Sequence, residues 1–109
     1  MPGRGNGSRA MQAHYPESFE REMSCTEAQW LRWLPGAVGD HFWKLQDGGA
    51  GVRISDGALD LKWQAGEPRV IASVRMPRLV VQFRFADVPD AVRHAFMRRF
   101  DLYMQRGGG

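Results

Sequence analysis

Across the middle of the chain, apolar residues recur at every second position, which restricts this region to half-buried β-strands. Between Val52 and Trp63, apolar and polar residues alternate on both sides of Asp56-Gly57. That dipeptide is typical of two-residue hairpin turns, because the central positions of such turns need positive φ angles. The pattern therefore predicts two antiparallel strands joined at Asp56-Gly57.

The same period predicts further strands on either side of this hairpin. One short strand is expected at residues 42–46, one at 70–76 and one at 79–85. The apolar positions change parity between the last two strands, so segment 76–78 forms either a loose hairpin turn or a bulge in one long bent strand. A tight two-residue turn is excluded because Pro77 cannot take a positive φ angle. We favour the loose hairpin.

Two helices are predicted, one on each side of the strands. Residues 26–29 (Thr-Glu-Ala-Gln) have the form of a capping box, in which side chains satisfy the free backbone donors of a helix start. Pro35-Gly36 is expected to end this helix. Asp90 begins a second helix, whose apolar residues recur at helical spacing. The residues assigned to its solvent side are His94, Arg98, Asp101 and Gln105.

The order of helix, strands and helix predicts an α+β fold. We expect a two-layer sandwich, in which both helices pack on one face of an antiparallel meander of four or five strands. Residues 1–22 lack apolar periodicity and are assigned to a flexible tail. Residues 23–106 form a single domain, and residues 107–109 form a flexible glycine tail. Met23 is then a candidate for the true start of translation.

The sequence offers few groups for catalysis. Cys25 is the single cysteine, so an intrachain disulfide is excluded, and its place near a helix start could lower its pKa. His41 and Asp40 are the only candidate partners, but catalysis would need a mutual geometry that spacing does not supply. Phosphate-loop and dinucleotide patterns are absent, and no metal-ligand cluster is apparent. We therefore predict a non-enzymatic protein without a cofactor or metal.

The composition also points to a compartment. No stretch approaches the roughly 18 apolar residues of a membrane span, and the first residues lack the apolar segment of a signal peptide. A single thiol suits a reducing environment. The expectation is a soluble, cytoplasmic protein that does not enter a membrane.

The predicted sheet has one face that the helices leave open. Its outward positions carry a group of cations with Asp60 as the only interleaved acid, and Ile71 and Val80 also point outward. Such a face can neutralise phosphates or dock an acidic protein surface. Outward aromatic residues, which single-stranded RNA binding uses, are missing, so a protein partner or a second copy in a homodimer is favoured over nucleic acid. The candidate binding residues are Arg53, Lys62, Arg75 and Arg84.

The chain ends in three glycines. Gly107-Gly108-Gly109 is similar to the exposed diglycine ends of ubiquitin-like and sulfur-carrier proteins, whose terminal carboxylate is adenylated and then converted to a thiocarboxylate or an amide. Those families have a β-grasp fold in which the tail follows a strand, whereas this tail follows a predicted helix. The resemblance implies an alternative function as a carrier or substrate protein activated at the Gly109 carboxylate.

A second resemblance covers the late strands and the last helix. This stretch, through residues 97–103 to the triple glycine, resembles short proteobacterial proteins to which no activity is attached. The resemblance implies a bacterial cytoplasmic setting and supplies no functional residues. The leading functional prediction is thus a binding or assembly domain that uses the basic open sheet face.

Overall fold

Seven strands and two helices make up the part of the chain that the computed structural model describes, residues 14–107. Five of these strands form one antiparallel sheet in the order β1-β7-β4-β3-β2, and β5 and β6 form a separate two-stranded ribbon. The predicted α+β class is confirmed. In chain order the elements are β1 (Ser18–Met23), α1 (Glu27–Val38), β2 (Trp43–Gln46), β3 (Gly49–Ile54), β4 (Gly57–Ala65), β5 (Arg69–Ile71), β6 (Val74–Met76), β7 (Leu79–Ala86) and α2 (Asp90–Gly107).

The core lies between one face of the sheet and the two helices. Alternate residues of β3, β4 and β7 are buried on that face, as the period of two predicts. The ring of Trp30 on α1 lies 5.5 Å from that of Trp63 on β4 and 6.1 Å from that of Phe100 on α2. Both helices therefore cover the same face, and the predicted two-layer arrangement is confirmed.

The N-terminal segment is an edge strand of this sheet. β1 pairs antiparallel with β7 along its whole length, and the ring of Phe19 stacks on that of Phe83 with centroids 4.7 Å apart. Tyr15, which precedes the strand, is 1% exposed. The prediction of a flexible tail is therefore wrong for residues 15–22. The remainder of that tail, residues 1–13, lies outside the described residues.

The segment between β4 and β7 folds as a ribbon that continues both strands beyond the sheet. The predicted single strand over residues 70–76 is wrong, because the chain reverses at Ala72-Ser73, where Ala72 has a φ of 56°. The Gly66 N–H donates to the Arg78 carbonyl at 2.8 Å and joins the ribbon to the β4–β7 hairpin. The chain passes Pro77 without reversing. The prediction of a loose hairpin at 76–78 is therefore also wrong. The alternative, one long bent strand, agrees with the structure.

The hairpin between β3 and β4 turns one residue earlier than predicted. Ile54 pairs with Gly57, so the loop residues are Ser55-Asp56, and Ser55 has the positive φ of 54°. Gly57 is required for a different reason. A Cβ atom at this position would overlap the carbonyl oxygen of Ala86, so only glycine permits the close approach of β4 and the end of β7.

The start of α1 follows the sequence pattern. The Gln29 N–H donates to the Thr26 hydroxyl at 3.1 Å, and the Thr26 N–H donates to the Gln29 side-chain oxygen at 2.9 Å. Both hydrogen bonds of the predicted capping box are present, so the prediction is confirmed.

The end of α1 differs from the prediction. The helix continues through Pro35 to Val38 and ends at Gly39, where φ is 74°. Proline inside the helix costs one backbone hydrogen bond, and burial of the apolar face offsets it. Gly36 serves the contact between the helices, because a Cβ atom there would overlap the ring of Tyr103 on α2. Pro35-Gly36 is thus part of the helix rather than its end.

Candidate functional site

The open face of the sheet brings together three of the four predicted binding residues. The strand register places Arg53 on β3, Lys62 on β4 and Arg84 on β7 on the side away from the helices, and all three are exposed. Arg75 lies on β6, so it belongs to the ribbon and not to the sheet face. The ribbon also carries Ile71, which is 57% exposed. The predicted site is therefore divided between two surfaces.

The open face is less basic than the sequence suggests. β1 adds Glu20, opposite Gln82, and Glu22, opposite Val80, so Asp60 is not the only acid there. β2 adds Lys44, opposite Gly51, which sequence reasoning had not included. Among the described residues this face holds four cations and three acids, where the sequence predicted a single acid. The error follows from the unpredicted edge strand β1.

The charges on this face are separated across the strand order. Lys44 and Arg53 lie on the β2 and β3 side, while Glu20 and Glu22 lie on the opposite edge, along β1. Glu22 forms ion pairs at 3.3 and 3.2 Å with two arginines at the base of the ribbon, Arg69 and Arg78. One half of the open face is thus cationic, and part of the acidic edge is already neutralised.

An aromatic residue lies beside Arg53 at the cationic corner of the open face, where the pairing of β2 and β3 ends. The Arg53 N–H donates to the Phe42 carbonyl at 2.8 Å, so the β2–β3 register extends one residue and places Phe42 beside Arg53. Phe42 is 73% exposed. The expectation that the open face lacks an outward aromatic residue is therefore wrong at this position.

The residues considered for catalysis lie apart. Cys25 precedes α1 and His41 follows it, and a helix of 12 residues separates their ends by about 18 Å. The Nδ1 atom of His41 lies 3.0 Å from the Val38 carbonyl oxygen, and its ring packs edge-on against Phe96. Cys25 is 2% exposed. Neither side chain is placed to activate the other.

Burial raises the pKa of the Cys25 thiol, contrary to the expectation that the helix start lowers it. The thiol stays protonated at neutral pH, and we expect iodoacetamide to alkylate it far more slowly in the native protein than in guanidinium chloride. Because the folded-state pKa lies above the unfolded one, stability should fall as pH rises from the ordinary thiol pKa through the folded value. Alkylation rates by mass spectrometry, and melting curves of Cys25→Ala across that range, test both statements. Equal alkylation rates in the native and unfolded protein would contradict the first statement. A stability that changes with pH in the same way in the wild type and in Cys25→Ala would contradict the second.

A buried polar contact joins the N-terminal arm, residues 14–22, to α2. The sequence pattern predicts Asp101 on the solvent side of the helix, but the residue is 5% exposed. Its carboxylate accepts a hydrogen bond of 2.7 Å from the Tyr15 hydroxyl and forms a two-pronged ion pair with Arg21. The Arg21 guanidinium also lies 5.3 Å from the ring centroid of Phe83. The prediction for Asp101 is wrong because its partners, Tyr15 and Arg21, lie in the segment that the sequence predicts to be a flexible tail.

A second arginine fixes the same arm. Arg93 on α2 is 7% exposed and donates from Nε to the Tyr15 carbonyl at 2.7 Å. Its other nitrogens donate to the Val88 carbonyl at 2.9 Å and to Asp90 at 2.8 Å. Every nitrogen of this guanidinium has a partner, which is what burial of a charged group requires. Arg93 therefore has a structural role and is not available for a ligand.

Residues 14–107 hold no cluster of three or more side chains of the types that bind metal ions. Neither helix has the length and apolar character needed to cross a membrane. Gly107 is the last residue of α2, and Gly108 and Gly109 lie outside the described residues. Activation at the terminal carboxylate therefore stays a prediction.

No protein-family model matches this chain, and no curated protein matches its sequence. A function for this chain therefore rests on its own residues and their geometry.

Proposed function

We propose that the protein is a non-enzymatic binding domain whose open sheet face docks an acidic surface of a partner protein. One observation carries the proposal. The side of the sheet opposite the two helices is open, and it bears cations along β2, β3 and β4. Within residues 14–107, no other layer of the fold covers this face.

The three cations on the β2, β3 and β4 side of this face are free to meet a partner. Lys44, Arg53 and Lys62 form no ion pair within the described part of the chain. Between them, Gly51 of β3 presents no side chain, so a partner can approach the strand closely at this position. Unpaired cations beside an accessible surface favour acidic groups by charge complementarity.

The mixture of charges favours a protein over a nucleic acid. A phosphate backbone is negative along its whole length and would be repelled by Glu20 and Asp60 on this face, whereas a protein can place its acidic groups opposite the cations alone. Arginine and aromatic residues are the types enriched at protein interfaces, and Arg53 lies beside the exposed Phe42. We therefore assign the centre of the contact to this corner.

The test is a charge reversal on the cationic half. In Arg53→Glu/Lys62→Glu, capture of partner proteins from native cells by the tagged chain should fall about tenfold or more, since two attractive charges become repulsive. The matched control is Arg98→Glu, an exposed arginine on α2 at the other side of the molecule, which should capture the same proteins as the wild type. Quantitative mass spectrometry measures capture, and circular dichroism verifies the fold.

Two results would contradict the proposal. One is undiminished capture by the double variant. The other is loss of capture by the wild type after nuclease treatment, which would identify nucleic acid as the partner. Binding to a protein should also weaken less steeply with salt than a contact to many phosphates.

A further inference from the structure

α2 carries a stripe of exposed residues on the side away from its buried face. Arg99, Leu102, Tyr103 and Arg106 follow the spacing i, i+3, i+4 and i+7, so they lie on one side of the helix. Together they line a shallow cleft on the helical layer. This surface is separate from the open sheet face, because the helices cover the opposite side of the sheet.

The cleft is rich in hydrogen-bond donors that have no acceptor. Within residues 14–107, Arg99 and Arg106 form no ion pair, and the Tyr103 hydroxyl forms no hydrogen bond. Between the two arginines, Leu102 is 47% and Tyr103 37% exposed. Arg93 of the same helix differs, since all its nitrogens are engaged.

α1 holds two of these side chains in place. The ring of Tyr103 lies against Gly36, and the guanidinium of Arg99 lies against Gly39, where a Cβ atom would overlap it. The crossing of the two helices therefore shapes the cleft before any ligand arrives, which reduces the entropy cost of binding.

We propose that this stripe binds an acidic amphipathic helix of a partner protein. The Cα atoms of Arg99 and Arg106 are seven residues apart, about 10.5 Å along the helix axis. A helix lying along α2 presents two carboxylates at the same separation when they too are seven residues apart, with apolar side chains between them for Leu102 and Tyr103. A nucleic acid is the poorer fit, because the centre of the stripe is apolar.

This inference does not depend on the proposed role of the open sheet face. If both hold, the protein has binding surfaces on opposite sides and can connect two acidic partners. Each surface can be removed by its own charge reversals, so the failure of one proposal leaves the other intact.

The probe is a synthetic helical peptide with two glutamates seven residues apart and two leucines between them. Fluorescence anisotropy should show saturable binding to the wild-type protein. Affinity should fall about tenfold or more for Arg99→Glu/Arg106→Glu, since two attractive contacts become repulsive. A peptide with lysines in place of the glutamates should regain binding to that variant. Arg98→Glu, a change of the same charge on the same helix but outside the stripe, should bind like the wild type.

Arg106→Glu alone serves as a second variant, because Arg99 packs against the end of α1 and its replacement could disturb that helix. Its affinity should fall in the same direction with an unchanged circular dichroism spectrum. The inference is overturned by absence of binding to the wild type, by equal weakening in Arg98→Glu, or by failure of the lysine peptide to rescue the double variant. Stronger competition from single-stranded DNA of equal charge would also overturn it.

Discussion

Replacing Asp101 with leucine is expected to lower the free energy of unfolding by about 3 to 5 kcal/mol, the range for breaking a buried ion pair from one side. The substitution removes the Asp101 carboxylate from the guanidinium of Arg21, whose side chain is 18% exposed. It also removes the acceptor of the buried Tyr15 hydroxyl. Leucine is a good helix former, so helix propensity does not account for the loss.

Asp101→Asn is the matched control for this prediction. An amide oxygen can still accept from Tyr15, but it carries no charge for Arg21, so the loss should be smaller than for leucine. Urea unfolding followed by circular dichroism gives both values. If Asp101→Leu unfolds within about 1 kcal/mol of the wild type, the typical scale of an exposed pair, the contact contributes no more than a surface ion pair.

A chain that begins at Met23 is expected not to fold. Such a chain lacks all but the last residue of β1, and with it the buried Tyr15 and the ring of Phe19 that stacks on Phe83. Removing one buried aromatic side chain commonly costs about 3 to 5 kcal/mol. The losses of Tyr15, of the half-buried Phe19 and of the Asp101 contact together amount to most or all of the roughly 5 to 15 kcal/mol that stabilises most domains.

The control is a truncation that begins at His14 and keeps residues 14–22. The difference between the two truncated chains isolates residues 14–22, and thermal unfolding by circular dichroism measures it. We expect a cooperative transition for the longer chain and none for the shorter one. A cooperative transition in both, at similar temperatures, would show that the arm is dispensable and that Met23 is an acceptable start.

The sequence predicts those elements whose patterns are local. The capping box at Thr26 and the alternation in β3, β4 and β7 are each complete within a few neighbouring residues, and each appears in the structure. The class and the two layers follow from their order. These features need no knowledge of distant partners, which is why pattern and spacing are sufficient.

The failures concern contacts between distant parts of the chain. In β1, Arg21 occupies a position on the core side and breaks the apolar alternation, because its partner Asp101 comes from α2. Neither residue alone signals the contact. Because the sequence does not predict β1, Glu20 and Glu22 are missing from the predicted open face. The predicted site is therefore more basic than the one in the structure. The ribbon turn at Ala72-Ser73 lacks glycine, and its positive φ had no sequence signal.

The pairing of β1 has a consequence for how the chain reaches its fold. Among the described strands its neighbour is β7, and the Arg21–Asp101 contact joins residues 80 positions apart. Contacts of such long range form slowly, because a large loop must close before they stabilise anything. During synthesis the arm emerges early, but its binding groove between β7 and α2 is completed only when α2 has been made. We expect the first strand of the chain to be the last one placed.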